Sequence, residues 1–154
     1  MELFFDMKNL KRITRSQIEE IVPLFDSYRV FYKMETDLDA AKAFLNDRIS
    51  NEESVIFAAY EGENAIGFVQ LYYTFSSVSL EKSLILNDLY VDSKYRKQSV
   101  GQQLLEKAQQ FCEQQGFKGL ALETAIDNPA QKLYEKLGWD KDYHCFHYFW
   151  QVKR

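Results

Sequence analysis

Apolar residues recur with two different periods along the chain, and the early part has the period of helices. The first helix is predicted to begin at Ser16, because Ser16 and Glu19 have the spacing of a capping box. Its apolar positions recur every three or four residues, at Ile18, Ile21, Val22 and Phe25. A second helix is predicted from Asp37 to about Ile49.

After the second helix the pattern changes to that of strands. Residues 55–60 and 65–73 are rich in β-branched and aromatic side chains and flank the turn 61–64, which predicts an antiparallel hairpin. Residues 83–91 predict a third strand of the same group.

The second half of the chain alternates between the two periods. A long helix is predicted from about Ser99 to Gln115, ended by Gly116, and a strand from Lys118 to Ala125. A shorter helix is predicted to have Asn128 as its N-cap and Gly138 after its last turn. The aromatic residues 143–152 predict a final strand. This order indicates an α+β fold with a mixed, mostly antiparallel sheet flanked by helices.

Composition narrows the class of protein. The chain has 154 residues and no linker-like or repetitive segment, so we expect one domain over residues 1–154. It has no apolar stretch of membrane-spanning length, and residues 1–6 are acidic and unlike a secretion signal, so we expect a cytoplasmic protein. A net charge of −4 disfavours nucleic acid and anionic membranes as partners and is compatible with a cationic small molecule.

The segment from Val91 to Gly101 has the features of an anion-binding loop. A strand ends, a basic loop with Arg96 and Lys97 follows, and a helix opens with the small residues Ser99 and Gly101. Helix N-termini present unpaired N–H groups to anions, and small residues allow a phosphate to approach the backbone. On these residues alone a solvated basic loop is an equal alternative.

Residues further along favour the anion-binding interpretation. The chain has Leu-Tyr-Val at 89–91, Arg-Lys-Gln-Ser-Val-Gly at 96–101, Asn-Pro-Ala at 128–130 and Leu-Tyr-Glu-Lys-Leu-Gly-Trp at 133–139. In residue type, order and spacing this run of about fifty residues resembles the GNAT superfamily of N-acetyltransferases, in particular its bacterial small-molecule members. The resemblance implies the GNAT fold, in which splayed central strands form an acetyl-CoA cleft.

The resemblance also implies roles for individual residues. Backbone groups of Leu89, Tyr90 and Val91 would pair with the pantetheine arm of acetyl-CoA as an added strand does. Asn128 would contact the same arm, and Tyr134 would point at the thioester sulfur. The backbone amides that would surround the pyrophosphate belong to Arg96, Lys97, Gln98, Ser99, Val100 and Gly101.

One position departs from the family pattern. Ser99 stands where the family usually has its first glycine, so its Cβ would crowd the pyrophosphate while its hydroxyl would donate a hydrogen bond in return.

Acyl transfer to an amine needs a neutral amine and a proton for the departing thiolate. An alkylammonium with a pKa near 10.4 costs roughly 4–5 kcal/mol to deprotonate at pH 7. Asp88 is the nearest carboxylate to the strand end and is a candidate for binding the ammonium or accepting its proton, with Glu123 or a water relay as alternatives. Asp88 is equally expected to satisfy backbone N–H groups at a bulge.

The proton donor to the thiolate has one candidate. Tyrosine and thiol side chains ordinarily have similar pKa values, so Tyr134 could serve. Tyr134 also belongs to an apolar helix stripe and would otherwise be a core residue.

Candidate substrate-binding residues lie at the end of the first helix. Tyr28, Phe31 and Tyr32 could hold a cation, and Arg29 would suit a carboxylate, which together would fit an amino-acid-like substrate. An aromatic stripe packed on the sheet is an equally good interpretation.

Other classes of site are less well supported by the sequence. On a strand only Cys145 and His147 would share a face, so the segment 144–147 does not make a metal site, and we expect no metal. The remaining alternatives are a non-catalytic GNAT-like sensor of acyl-CoA and an acetyltransferase of protein N-termini or lysines. The acceptor is left open, and the aromatic C-terminus could pair across a homodimer.

Overall fold

The computed structural model describes residues 9–154, and the acidic N-terminal segment 1–6 therefore lies outside the described residues. The chain divides into two compact units, the first ending at Glu123 and the second running from Thr124 to Arg154.

The first unit is built on a five-stranded sheet. Its strands follow one another in the sheet in the order of the sequence: β1 (Leu10–Arg12), β2 (Ser54–Glu61), β3 (Asn64–Ser76), β4 (Glu81–Val91) and β5 (Leu120–Ala121). All neighbours are antiparallel except β4 and β5, which are parallel. The predicted α+β class with a mixed, mostly antiparallel sheet is therefore confirmed. The strand β1 was not predicted, because three residues carry too little periodicity.

Three helices accompany this sheet: α1 (Ile18–Phe31), α2 (Leu38–Ser50) and α3 (Val100–Gln114). Buried residues of α1 and α2, such as Phe25 and Leu45, form one core with Ile56 and Phe68. Helix α3 buries its own apolar stripe, and its Phe111 meets Phe57 with ring centroids 5.5 Å apart. Because Ile56 and Phe57 alternate along β2, the two sets of helices cover opposite faces of the sheet.

The start of α1 differs from the prediction. The capping box is made by Thr14 and Gln17, whose Oε1 accepts a hydrogen bond from the Thr14 N–H at 3.1 Å, and not by Ser16 and Glu19. A single 3₁₀ turn at residues 15–17 moves the first α-helical residue to Ile18. The start of α2 follows the prediction, because the Asp37 side chain accepts from the Ala40 N–H at 3.0 Å.

Gly67 on β3 is required by the close approach of α3 to the sheet. A Cβ at this position would lie 3.2 Å from the Leu104 Cδ1, the Tyr90 carbonyl oxygen and the Val100 Cγ1. Any side chain here would separate α3 from the strands that precede it.

The strand β4 has two irregularities near its middle. Its register with β3 shifts between the pairs Gln70–Asp88 and Leu71–Leu86, so Asn87 forms a bulge. Its pairing with β5 involves only Leu84 and Ile85, although β4 continues to Val91. Within the described residues, the outer edge of β4 beyond Ile85 is therefore not paired with a strand. The predicted strand 118–125 is reduced to two residues.

The second unit contains one short helix, α4 (Gln131–Lys136). Its N-cap is Ala130 and not Asn128, the predicted cap. Asn128 lies two residues earlier, and its side chain accepts a hydrogen bond from the Ala130 N–H at 2.9 Å. Gly138 follows the helix with a φ of 89°, as predicted. The predicted strand over 143–152 is wrong: these residues have no regular structure, and this unit contains no other strand to complete a ladder.

No helix within residues 9–154 has the length and apolarity needed to cross a membrane.

Candidate active site

A cavity of about 310 Å³ lies in the first unit, between the paired helices α1 and α2 and the bulged part of the sheet. Among the described residues, its lining contains four aromatic side chains, one acidic side chain and one basic side chain. The lining residues are Phe25, Tyr28, Arg29, Ala40, Ala41, Phe44, Tyr72, Asn87 and Asp88. The cavity thus combines the apolar walls and the few polar groups that are typical of small-molecule sites.

Asp88 is the acidic group of this cavity and is only 3% exposed. Its Oδ2 accepts a hydrogen bond from the Gln70 Nε2 at 2.5 Å, and its Oδ1 accepts one from the Asn87 Nδ2 at 2.9 Å. Among the described residues, no lysine or arginine forms an ion pair with it. Burial raises the pKa of Asp88 above its usual range, against the opposing effect of these donors.

The bulge explains why Asp88 faces the cavity. If β4 alternated without a bulge past Leu86, Asp88 would lie on the face that carries Leu84 and Leu86, and the bulge at Asn87 turns it to the opposite face. The expected bulge is present, but among the described residues the Asp88 carboxylate accepts hydrogen bonds from the side chains of Gln70 and Asn87 and not from backbone N–H groups.

Two tyrosines flank the carboxylate. Burial, followed by the nearby charge of Asp88, raises the pKa of both Tyr28 and Tyr72 far above the usual range. Both phenols therefore remain protonated at neutral pH. Tyr28 also belongs to an aromatic cluster in which its ring centroid lies 5.1 Å from that of Tyr32 and 5.9 Å from that of Tyr90.

Arg29 is the basic group of the cavity, and its guanidinium is partly engaged. Its Nη1 lies 3.2 Å from the Asp26 Oδ1 and 3.5 Å from the Glu35 carbonyl oxygen. Asp26 in turn accepts from the Thr36 hydroxyl and the Asp37 N–H, so the loop between α1 and α2 holds Arg29 at the cavity wall. Of the other predicted substrate-side residues, Tyr32 is 60% exposed and lies beside Tyr28 outside the lining.

A second cavity of about 510 Å³ shares Phe44 and Tyr72 with the first. Its wall includes Arg48, whose guanidinium carbon lies 4.7 Å from the Phe44 ring centroid and whose Nε is 3.5 Å from the Glu53 Oε2. Because they share these two wall residues, the two cavities are neighbours.

The segment after β4 has an unusual backbone. Lys97 and Ser99 have positive φ values of 62° and 64°, the left-handed region that normally favours glycine. Ser99 is the residue that precedes the first turn of α3, and its carbonyl accepts from the Gln103 N–H at 3.0 Å. Alternating conformations of this kind turn successive N–H groups to one side and create an anion-binding concavity at a helix N-terminus.

Arg96 connects this segment to the end of β4. Its Nε donates a hydrogen bond to the Val91 carbonyl at 3.0 Å, and its guanidinium carbon lies 5.5 Å from the Tyr90 ring centroid and 5.8 Å from that of Phe31. The last three residues of β4 are Leu89, Tyr90 and Val91, and β5 does not pair with them. Gly101 would tolerate a Cβ, since the nearest atom is the Val91 Cγ2 at 3.8 Å. The rest of the predicted phosphate loop, Gln98 and Val100, completes the connection from β4 to α3.

Asn128 and Tyr134 lie in the second unit. The Asn128 side chain holds the turn before α4, and the Tyr134 ring centroid lies 6.0 Å from that of Trp139. Tyr134 is only partly buried, so within its unit it is not a core residue.

Glu123, the alternative carboxylate, is exposed at the end of the first unit, whereas Asp88 is buried in the cavity. Within residues 9–154 there is no group of three or more metal-ligating side chains.

The sequence interpretation did not identify Gln70, Phe44 or Tyr72 as residues of this region. Gln70 had a detectable signal, because it is a polar residue within the apolar run 65–73 and shares a strand face with Phe68 and Tyr72. Phe44 had none, because its position on α2 is that of an ordinary apolar residue.

Several known proteins with similar sequences and structures are named acetyltransferases. The model of the acetyltransferase (GNAT) family matches residues 18–139. An uncharacterized N-acetyltransferase of Bacillus subtilis, YhfO, is 44% identical over 141 residues, covering 91% of this chain and 95% of that protein. A probable acetyltransferase of Haemophilus influenzae is 31% identical over 131 residues, covering 77% of this chain and 90% of that protein. The crystal structure of a probable acetyltransferase superposes with a TM-score of 0.88 at 34% identity, covering 94% of this chain and 98% of that chain.

The family match covers the segment between β4 and α3, the bulged strand and the helix α4. With the five-stranded mixed sheet and its flanking helices, it identifies both the fold and the enzyme class. The chain belongs to the acetyltransferase (GNAT) family, and it is an acetyltransferase.

Proposed function

We propose that this enzyme transfers an acetyl group from acetyl-CoA to the primary amine of a small molecule, such as a polyamine, an amino acid or a related amine. The transfer is direct, within a ternary complex. The observation that carries the proposal is Asp88, a carboxylate that is 3% exposed, has no cationic partner among the described residues and lines an aromatic cavity.

The acetyl-CoA side of the proposal is supported by the segment that joins β4 to α3. The left-handed residues Lys97 and Ser99 lead into a helix of 15 residues, whose first amides have no intrahelical acceptor. Lys94, Arg96 and Lys97 add formal positive charge next to these amides. These residues would hold the pyrophosphate, and the unpaired edge of β4 over residues 89–91 would hold the pantetheine arm.

The acceptor side is supported by the cavity that contains Asp88. A buried carboxylate with aromatic neighbours binds an ammonium group through charge and through the faces of the rings. Burial raises the pKa of Asp88, so its affinity for a proton moves toward that of the amine. Asp88 would bind the ammonium and then take its proton, which leaves the neutral amine that acyl transfer requires.

Bound acetyl-CoA would supply an acetyl thioester and, after transfer, a thiolate that needs a proton. We assign the proton donor to Tyr134, which the family pattern Leu-Tyr-Glu-x-Leu-Gly at 133–138 supports. Asn128 would contact the coenzyme from the turn before α4. Residues 1–154 would form one catalytic domain, which the family match from residue 18 to residue 139 supports.

Arg29 and the second cavity would each favour a different class of acceptor amine. Within the part of the chain that the structure describes, the hydrogen bonds of the Arg29 guanidinium to Asp26 and Glu35 are both made by Nη1, so its other donors could hold a substrate carboxylate. An amino acid would use Asp88 and Arg29 together, whereas a polyamine would use Asp88 and extend past Tyr72 toward Glu53.

The first experiment tests coenzyme binding. Acetyl-CoA at about 100 times its dissociation constant should stabilise the fold by roughly 2.7 kcal/mol. For a protein of this size we expect the melting temperature to rise by about 5 °C. An unchanged melting temperature at millimolar acetyl-CoA would contradict the proposal.

The second experiment tests turnover. Release of free CoA thiol is measured with a panel of polyamines, amino acids, other primary amines and N-terminal peptides, and we expect turnover with at least one small amine. Intersecting initial-rate lines would support the ternary complex. Asp88→Asn should lower kcat/KM by about 100-fold, and Asp47→Asn, an exposed aspartate on α2, should not change it. Acetyl-CoA binding without turnover on any amine would instead indicate a sensor, and turnover on peptides alone would indicate a protein acetyltransferase.

A further inference from the structure

Gln70 lies directly opposite Asp88 in the register of β3 and β4, next to the bulge at Asn87. Its side chain is completely buried, in a strand whose neighbouring residues Val69 and Leu71 are apolar and equally buried. A buried glutamine in such a strand has an energetic cost unless its amide makes good hydrogen bonds.

The amide is only half satisfied. Its Nε2 donates to the Asp88 Oδ2 at 2.5 Å, whereas its Oε1 has no hydrogen-bond partner among the described residues. An apolar side chain of similar size would avoid the cost of the buried oxygen. The position is therefore poorly explained by packing alone, and the contact that the amide does make is with the carboxylate that we assign to the acceptor amine.

The groups around Asp88 contribute differently to its charge. Gln70 on β3 and Asn87 on β4 are neutral donors, and Tyr28 on α1 and Tyr72 on β3 are protonated phenols whose pKa is raised. Among residues 9–154, the cation that lines the same cavity is Arg29 on α1, which pairs with Asp26. A neutral hydrogen bond on Oδ2 thus stabilises the ionised carboxylate without neutralising it.

We propose that Gln70 is a positioning residue, whose amide fixes the plane of the Asp88 carboxyl group and keeps it ionised and ready to receive a proton from the acceptor amine. The inference rests on the proposed function only for the identity of that proton donor. A cationic partner in place of Gln70 would hold the carboxylate more strongly but would compete with the substrate ammonium.

The test measures the Asp88 carboxyl group itself. The pH titration of its side-chain ¹³C resonance is followed in the free protein, in the wild type and in Gln70→Leu. Loss of a hydrogen bond to a charged group should raise the Asp88 pKa in Gln70→Leu by about one unit. Titration at the same pH in both proteins would overturn the proposal.

A matched control separates this effect from the general removal of a buried amide. Gln103 on α3 is also a buried glutamine whose Oε1 has no partner among the described residues. Gln103→Leu should leave the Asp88 titration unchanged. An equal shift in Gln103→Leu and Gln70→Leu would show a nonspecific effect and would overturn the proposal.

A second variant keeps the proposal testable if Gln70→Leu does not fold. Gln70→Glu preserves the shape and places a second carboxyl group next to Asp88, so the pair should share one proton and titrate in two separated steps. A single, unshifted step for Asp88 would contradict the proposed contact.

Turnover gives the readout that links the contact to catalysis. With the best amine, the acid limb of kcat/KM should move upward in pH by the same amount as the Asp88 titration, while the KM for acetyl-CoA stays unchanged. If the Asp88 titration shifts in Gln70→Leu as expected but the wild type acetylates no amine, the proposed function is refuted. The coupling between Gln70 and Asp88 would still be established. A wild type that is active, with an acid limb that Gln70→Leu does not move, would overturn the positioning role.

Discussion

The Arg96 side chain donates its Nε–H to the Val91 carbonyl across 3.0 Å and so folds back over the end of β4. The guanidinium carbon lies 5.5 Å from the Tyr90 ring centroid and 5.8 Å from that of Phe31. This arrangement holds an arginine next to the amides that we assign to the pyrophosphate, and it gives the first prediction.

Arg96→Lys should weaken acetyl-CoA binding about tenfold, because an ammonium cannot donate to Val91 and stack on Tyr90 at the same time. Isothermal titration with acetyl-CoA measures the dissociation constant. The matched control is Arg12→Lys. The Arg12 guanidinium carbon also lies near a ring, 5.2 Å from the Phe111 centroid, but at the opposite face of the sheet, so this variant should bind acetyl-CoA as the wild type does. Equal affinities for wild type and Arg96→Lys would remove Arg96 from the coenzyme site.

Ser99 should be the position at which glycine is tolerated and a β-branched residue is not. Its φ of 64° strains any residue that has a Cβ, and strain is largest for β-branched side chains. In Ser99→Gly the relief of strain exceeds the extra conformational entropy that glycine loses on folding, and we expect the free energy of unfolding to rise by about 0.5 kcal/mol. In Ser99→Val we expect it to fall by more than about 1 kcal/mol. Urea unfolding measures both, and the reverse order of stabilities would refute the left-handed conformation.

Gly67→Ala should destabilise the protein by about 1–3 kcal/mol, because its Cβ would lie 3.2 Å from Leu104, Val100 and the Tyr90 carbonyl. Gly119→Ala is the control, since a Cβ there has no atom within 4 Å and the φ of Gly119 is not in the left-handed region. Urea unfolding of the two variants should differ clearly. If both lose the same amount, the close approach of α3 to β3 is not what position 67 requires.

Asp88→Asn should make the protein more stable at neutral pH while it removes activity. Burial raises the pKa of Asp88, so the folded protein holds this proton more tightly than the unfolded chain. The resulting stabilisation is complete below the unfolded pKa of about 3.9 and is lost as the pH rises through the folded pKa. The excess stability of Asp88→Asn, measured by urea unfolding, should therefore be largest at pH 7–8 and smallest below pH 4.

Asp26→Asn provides the comparison of opposite sign. Hydrogen bonds from the Asp37 N–H and the Thr36 hydroxyl lower the pKa of Asp26, so its stabilisation is present above the unfolded pKa and is lost as the pH falls through the folded pKa. We expect Asp26→Asn to lose about 1 kcal/mol at pH 7 and less at pH 3. Parallel pH profiles for the two asparagine variants would contradict this assignment.

Tyr134→Phe should lower kcat by about 100-fold and leave the dissociation constant of acetyl-CoA unchanged, because only the proton donor is lost. The phenyl ring keeps the contact with Trp139, so the melting temperature should change little. Tyr143→Phe, at a tyrosine that is 79% exposed, is the control. Turnover that is the same as in the wild type would return Tyr134 to a structural role.

The long elements were predictable because their apolar periodicity extends over several turns or pleats. Helix α3 starts and ends within one residue of the prediction, and Gly116 follows it with the expected positive φ. The segment 143–152 shows the limit of this reasoning, since its aromatic content favours a strand but a strand also needs a neighbour to bond with.

The candidate site was predictable only in part. Tyr28, Arg29 and Asp88 were each identified from sequence, and they line one cavity. That Gln70 is opposite Asp88 depends on the register of two strands and on the bulge at Asn87, which no local pattern specifies. The left-handed conformation of Ser99 was likewise invisible, because serine gives no sign of a positive φ.

The short pairing between β4 and β5 has a consequence for handling the protein. From Leu86 to Val91, main-chain donors and acceptors face away from β3, and no strand of residues 9–154 pairs with them. Unpaired strand edges of this kind recruit strands from other molecules. A bound coenzyme would shield that row in the way a covering loop shields a sheet margin. Purification and storage with acetyl-CoA should therefore slow aggregation more than its effect on melting temperature alone would account for.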